Sequence, residues 1–156
     1  MSSKTKPLVL IASPALAQAN NGNWHTAWRW SRMLRADCRT GILPVWNGEP
    51  CDALIALHAR RSAASIDAFA RAHPQRPLVV VLTGTDLYRD ITIDPSAQRS
   101  LRQATHLVVL QDQGIDELPM VLRSKCSVIY QSAPKLKPMP PSARVLHVVS
   151  VGHLRD

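Results

Sequence analysis

Six short apolar runs recur along the chain, and the stretches between them follow a different period. The runs are LVLIA (8–12), GILPVW (41–46), ALIAL (53–57), LVVVL (78–82), LVVL (107–110) and CSVIY (126–130). They are continuously apolar rather than alternating, the pattern of strands covered on both faces in a parallel sheet. GILPVW is the weakest of them. Pro44 cannot donate to a ladder, so this run reads as an edge strand or a bulge.

The intervals carry helical periods. Over 24–35, Trp24, Ala27, Trp28, Ser31 and Leu34 share one face, and Arg29, Arg32 and Arg35 point to solvent. SAASIDAFARA (62–72) predicts a second helix, capped by Ser62 and stopped before Pro74. Residues 95–103 predict a third, with Asp94 as cap and Pro95 at its first position. Residues 112–123 predict a fourth, weakened by Pro119. Strand–helix alternation with right-handed crossovers predicts an α/β, Rossmann-like, doubly wound and mainly parallel sheet.

The length, 156 residues, suits one domain of ordinary size, here expected over 1–132. SAPKLKPMPPSAR follows with four prolines and no period, so 133–144 read as a linker. VLHVVSVGHL then predicts a new strand over 145–156, the opening of a second domain whose remainder is expected to be missing. Lys4 and Lys6 ahead of LVLIASPALAQA imitate a secretory signal, but the run is short and broken by Pro14, and it reads equally well as a buried first strand. No stretch reaches the roughly 18 to 20 apolar residues of a membrane span, so no membrane partner is expected.

Composition narrows the partners. Nineteen Lys and Arg against eleven Asp and Glu give a net charge of +8, which favours an anionic partner. The arginines are scattered and no basic–aromatic stripe or lysine-rich tail is present, so nucleic acid is not expected. Cys38, Cys51 and Cys126 form no zinc or disulfide framework and fit a cytoplasmic protein with reduced thiols. No His, Asp or Glu set has metal-ligand spacing. No nucleophile elbow or Ser-His-Asp motif appears, and no cofactor is expected.

In open α/β sheets ligands bind beyond the carboxyl ends of the strands, so those segments carry the candidate chemistry. After the first strand, Asn21, Gly22 and Asn23 precede a helix. Asn23 can cap it and Gly22 lets the backbone approach an anion, although Asn-Gly is also ordinary turn chemistry. After the third run come His58, Arg60, Arg61 and Ser62, at a helix start where the dipole disfavours cations. The two arginines therefore face either a phosphate or a carboxylate, Asp86 or Asp90. After the fourth run, Thr83, Gly84, Thr85 and Asp86 form a polar turn. Asp86 can orient a hydroxyl, take a proton, pair with an arginine, or merely close an Asx-type turn. Gln131 and Ser132 read as cleft wall and hinge. His25, in the first helical turn, faces either a substrate oxygen or solvent. His73, His106 and His147 read as structural.

The segments SPALAQANNGNWHTAWRW, GEPCDALIALHARRSAASI, RPLVVVLTGTDLYRDI, RSL followed by LVVLQ, VIYQSA and VGHLRD, taken in order from Leu8 to Asp156, resemble the selenosugar synthases of selenoneine biosynthesis. The resemblance implies the amino-terminal half of a two-domain GT-B glycosyltransferase-like fold. It implies transfer of a sugar from a UDP-sugar, UDP-N-acetylglucosamine or UDP-glucose, to selenophosphate, with UDP and phosphate as the other products. On that reading Arg60 and Arg61 hold selenophosphate oxygens, and the 21–23 bend meets selenophosphate or the donor diphosphate. Thr85, Asp86 and His25 position sugar hydroxyls or the acceptor, and Arg155 begins a donor phosphate clamp. Two other readings stand beside it: a non-catalytic phosphate- or nucleotide-binding module, and a GT-B glycosyltransferase with another acceptor.

Overall fold

A computed structural model describes residues 5–19, 21–135, 137, 138, 145 and 148. Its centre is a six-stranded sheet, parallel throughout, formed by β1 (Leu8–Ala12), β2 (Arg39–Leu43), β3 (Ala53–Leu57), β4 (Leu78–Val81), β5 (His106–Val109) and β6 (Cys126–Val128) in the order β2-β1-β3-β4-β5-β6. This is the α/β, Rossmann-like, doubly wound arrangement expected from the apolar runs. The chain reverses its direction of travel across the sheet between β1 and β3, which open a crevice at their carboxyl ends.

Side chains alternate between the two faces. Leu10, Ala12, Leu54, Ala56, Leu78, Val80, Leu107 and Val109 pack with Ile66 and Phe69 of α2 (Ala63–Ala72) and Ala97 and Leu101 of α4 (Pro95–Gln103). Between these helices the chain makes a π-helical turn (Asp86–Asp90) and a single turn, α3 (Ile91–Ile93), which add Leu87 and Ile91 to the same core. Val9, Ile11, Ile55, Leu57, Val81 and Val108 face the other way, toward α1 (Gly22–Leu34).

Several local expectations need correction. Strand β2 ends at Leu43 rather than at residue 46, because Pro44 breaks the ladder. Trp46 instead enters the core edge-on to Phe69, 5.2 Å between ring centres, its Nε1 donating to Glu49 O at 2.9 Å. As expected of the Pro-containing run, β2 lies at the sheet edge. The inward face of α1 is Ala27, Trp30, Ser31 and Leu34. Trp28 is 44% exposed, with the Arg32 guanidinium 4.9 Å above its ring. The fourth helix does not form as one element. Pro119 separates a 3-10 turn (Asp112–Ile115) from a single turn, α5 (Met120–Arg123). Asp94 caps α4 as expected, its Oδ1 accepting from Ser96 N at 2.8 Å and Ala97 N at 2.9 Å.

The described residues beyond Gln131 are exposed and without regular structure. The remainder of the expected linker and strand, with His147 and Arg155, lies outside the described residues.

Candidate functional site

The site is built at the reversal between β1 and β3, from four segments that leave the carboxyl ends of strands. The first leads into α1. Asn21 is extended at φ −117° and ψ 175°, and its Oδ1 accepts from Trp24 N at 3.2 Å. Asn21, not Asn23, is therefore the cap. The N–H groups of Gly22 and Asn23 fall in the first turn and have no acceptor within the helix. A Cβ added at Gly22 would meet nothing within 4 Å, and Gly22 borders the crevice.

The second segment follows β3. His58 takes a left-handed backbone, φ 72°, at the strand end. For a non-glycine residue this conformation costs about 1–2 kcal/mol. It turns the chain so that Arg61 N lies 3.4 Å from His58 Nδ1 as a donor. Ser62 stands at the start of α2 without capping it. Its hydroxyl is buried and donates back to Leu57 O at 2.6 Å. Ser62 thus fixes the loop, and its hydroxyl is already engaged by Leu57 O.

The third segment follows β4. Gly84, at φ 147°, occupies a conformation that favours glycine. The Asp86 carboxylate is fully buried. Its Oδ2 accepts from Ala59 N at 2.9 Å, and its Oδ1 accepts from Thr83 N and Gly84 N, each at 3.0 Å. Of the roles open to it from sequence, the turn-closing one is the one observed. Asp86 ties the β4 loop to the β3 loop.

The fourth segment follows β6. Gln131 Nε2 donates to Thr26 Oγ1 at 2.7 Å, and the carbonyl of Ser132 accepts from Arg29.

These segments enclose two adjoining recesses that share Gly22 and Thr83. One, of about 240 Å³, is lined by Asn21, Gly22, Asn23, His58, Arg61, Thr83, Gly84 and Thr85. Eight residues expected from sequence thus meet in one place. The other, of about 340 Å³, is lined by Gly22, His25, Thr26, Arg29, Thr83, Leu110, Gln131 and Ser132. Thr26 and Arg29 were not foreseen. The spacing that reveals them is helical: 22, 25, 26 and 29 form a stripe on α1 that starts at the bend and runs along the crevice.

The two arginines separate. Arg61 joins the recess. Arg60 turns to the buried Asp90, with Nε 3.0 Å from Oδ2. That approach is close but off the N–H direction, so Asp90 Oδ2 is ion-paired without accepting a hydrogen bond among the described residues. The two arginines thus do not share one partner, and only Arg61 lines the recess. Arg60 takes the carboxylate instead, since Asp90 is buried beside it and would otherwise carry an uncompensated charge.

His58 is 3% exposed. Burial pushes its pKa below the ordinary imidazole value. Asp86 opposes that shift, Arg61 adds to it, and Asp90 and Arg60 act in the same opposed senses more weakly. The neutral ring accepts at Nδ1 and carries its hydrogen on Nε2, which lies 3.3 Å from Thr85 Oγ1.

The recesses therefore combine two guanidinium groups, Arg61 and Arg29, the amide-bearing end of a helix, hydroxyls and the imidazoles of His58 and His25. Among the described residues no cluster of three or more His, Cys, Asp or Glu side chains can hold a metal ion, and no helix is long and apolar enough to cross a membrane. The three cysteines are unpaired. Compared with known proteins, the chain matches no family model and no curated protein sequence.

Proposed function

We propose that the smaller recess binds a phosphoryl-type anion and that the pair of recesses serves a two-substrate sugar transfer, from a UDP-sugar to selenophosphate. The observation that carries the reading is the meeting of Arg61 with the Asn21-Gly22-Asn23 bend at the β1/β3 reversal. A small tetrahedral anion needs a cation, N–H donors and room, and Arg61, the first-turn amides of α1 and the recess itself can supply them. The adjoining recess, with His25, Thr26, Arg29 and Gln131, suits the hydroxyls and phosphates of a UDP-sugar such as UDP-N-acetylglucosamine or UDP-glucose. The motif resemblance supplies selenophosphate as the acceptor. Its selenium is a strong nucleophile, so the transfer can run on positioning and charge stabilisation without a strong general base. That is consistent with an Asp86 whose oxygens are already engaged by amides.

The test has two arms. In the enzyme expressed from its whole reading frame, UDP release from a UDP-sugar is expected to require selenophosphate; equal release without it refutes the acceptor assignment. In the chain itself, phosphate is expected to bind saturably, and Arg61→Ala to weaken it. Phosphate binding that ignores Arg61 refutes the anion site. A second reading, a phosphate- or nucleotide-binding module without catalysis, is favoured by the burial of Asp86 away from both recesses. Saturable binding with no sugar transfer to any acceptor would establish it.

A further inference from the structure

His58 is an unusual residue for the wall of a recess that takes an anion. The groups facing it come from two directions. From the turn after β4 come Asp86, with Oδ2 3.9 Å from Nδ1, and Asp90, with Oδ2 4.0 Å from Nε2. The Thr85 hydroxyl lies 3.3 Å from Nε2. From its own loop come Arg60, paired to Asp90, and Arg61, whose backbone N–H donates to Nδ1. The α1 side of the recess contributes Asn21, Gly22 and Asn23, none of which titrates.

Two carboxylates and two guanidinium groups balance around a neutral ring. A dianion entering beside Arg61 upsets that balance. Charges separated by a few ångströms of partly buried protein interact several times more strongly than in water. The imidazole is the group placed to compensate, because both of its nitrogens already face carboxylate oxygens. Asp90 Oδ2, 4.0 Å from Nε2, accepts no hydrogen bond among the described residues, so a small approach would let it take Nε2–H. Asp86 Oδ2 faces the nitrogen that would gain the proton.

We propose that anion entry into the Arg61 recess is proton-coupled, with one proton taken from solvent onto His58 Nδ1 as the anion binds. The proposal rests on the anion reading of that recess. The proton comes from water or buffer and displaces the Arg61 backbone N–H from the Nδ1 lone pair, Nε2 keeps its hydrogen, and the bound complex gains one negative charge rather than two. The site thereby favours dianions over monoanions and binds them more tightly as pH falls.

Sulfate is the probe, because it is a dianion with no titrating proton near neutrality. Calorimetric titration of the chain near pH 7, in two buffers of different ionisation heat, is expected to show uptake approaching one proton per sulfate. Affinity is expected to fall toward alkaline pH by up to about tenfold per pH unit, the limit for one linked proton. His58→Asn keeps a residue that tolerates positive φ. It is expected to bind sulfate more weakly and with a heat that no longer depends on the buffer. Imidazole nitrogen chemical shifts of the unmutated chain read the same event directly, His58 becoming doubly protonated on sulfate addition, so the outcome does not depend on the variant folding. Arg61-dependent sulfate binding without proton uptake overturns this proposal alone. Sulfate binding that Arg61 does not influence overturns the anion reading with it. Uptake that survives in His58→Asn removes His58 from the mechanism.

Discussion

Asp86 offers the sharpest test of how this site is organised, because a catalytic carboxylate and a structural one fail differently. Its two oxygens accept three backbone N–H groups, from Ala59, Thr83 and Gly84, at 2.9 to 3.0 Å, and the side chain is fully buried. Hydrogen bonds to a charged group contribute roughly 1.5–3 kcal/mol each, and a buried donor left without a partner costs about 1–3 kcal/mol. Thr83 and Gly84 border the recesses, where water can replace part of the loss. Ala59 is buried and has no such relief. Asp86→Ala is therefore expected to cost about 3 kcal/mol. For a domain of this size that corresponds to a fall in Tm of about 6–12 °C. Asp86→Asn retains one acceptor but turns an NH₂ toward a backbone donor, and should fall between the variant above and the wild type. Urea unfolding followed by circular dichroism measures both, and an unchanged m-value shows that the native state itself has weakened. Should Asp86→Ala unfold within about 0.5 kcal/mol of wild type while losing anion binding, the carboxylate is a ligand-facing group and the tie between the loops is not real.

Four further outcomes follow from the same geometry. Arg61→Ala is expected to weaken phosphate binding about 10- to 100-fold, the loss of one charge-assisted contact. Arg60→Ala should change it by less than about twofold while lowering stability, since its partner is Asp90; isothermal titration of the two variants separates them. Gly22→Val places a branched side chain where a Cβ meets open space. The fold should be retained by circular dichroism while phosphate binding is lost, and undiminished binding would show that the bend is not the approach path. The depressed His58 pKa gives a pH dependence with a definite sign. The native state disfavours the charged ring, so this contribution is complete above the unfolded value, about pH 6.5, and is lost as pH falls through the lower folded value. Stability of the chain without anion should decline as pH falls from about 6.5 and level off below the folded value, and the decline should shrink in His58→Asn.

The fold was largely legible because continuous apolar runs of four or five residues have few other uses than strands buried on both faces. Errors arose where one residue redirected the chain. Pro44 ended β2 and sent Trp46 inward, and Pro119 split the last helix, both effects of a missing N–H whose consequence depends on what lies alongside. The site was legible by position, since segments after strands must converge at the reversal of the sheet. It was less legible by role. Nothing in HARRSAAS distinguishes the arginine that meets the recess from the one that meets Asp90, because the choice is made by a carboxylate thirty residues away. Asp86 read as chemistry because acidic residues at strand ends often are; its burial and its three amide partners are tertiary properties. Arg29 was hidden by the assumption that charged positions of α1 point to bulk water.

The bond pattern of Asp86 has a consequence for selectivity. A single carboxylate holds amides from the loops after β3 and β4, so two walls of the smaller recess are assembled during folding and not upon encounter. Little conformational entropy remains to be lost there when a ligand arrives. Discrimination must then come from charge and size measured against a fixed frame, since the floor has little freedom to reshape itself around a wrong guest.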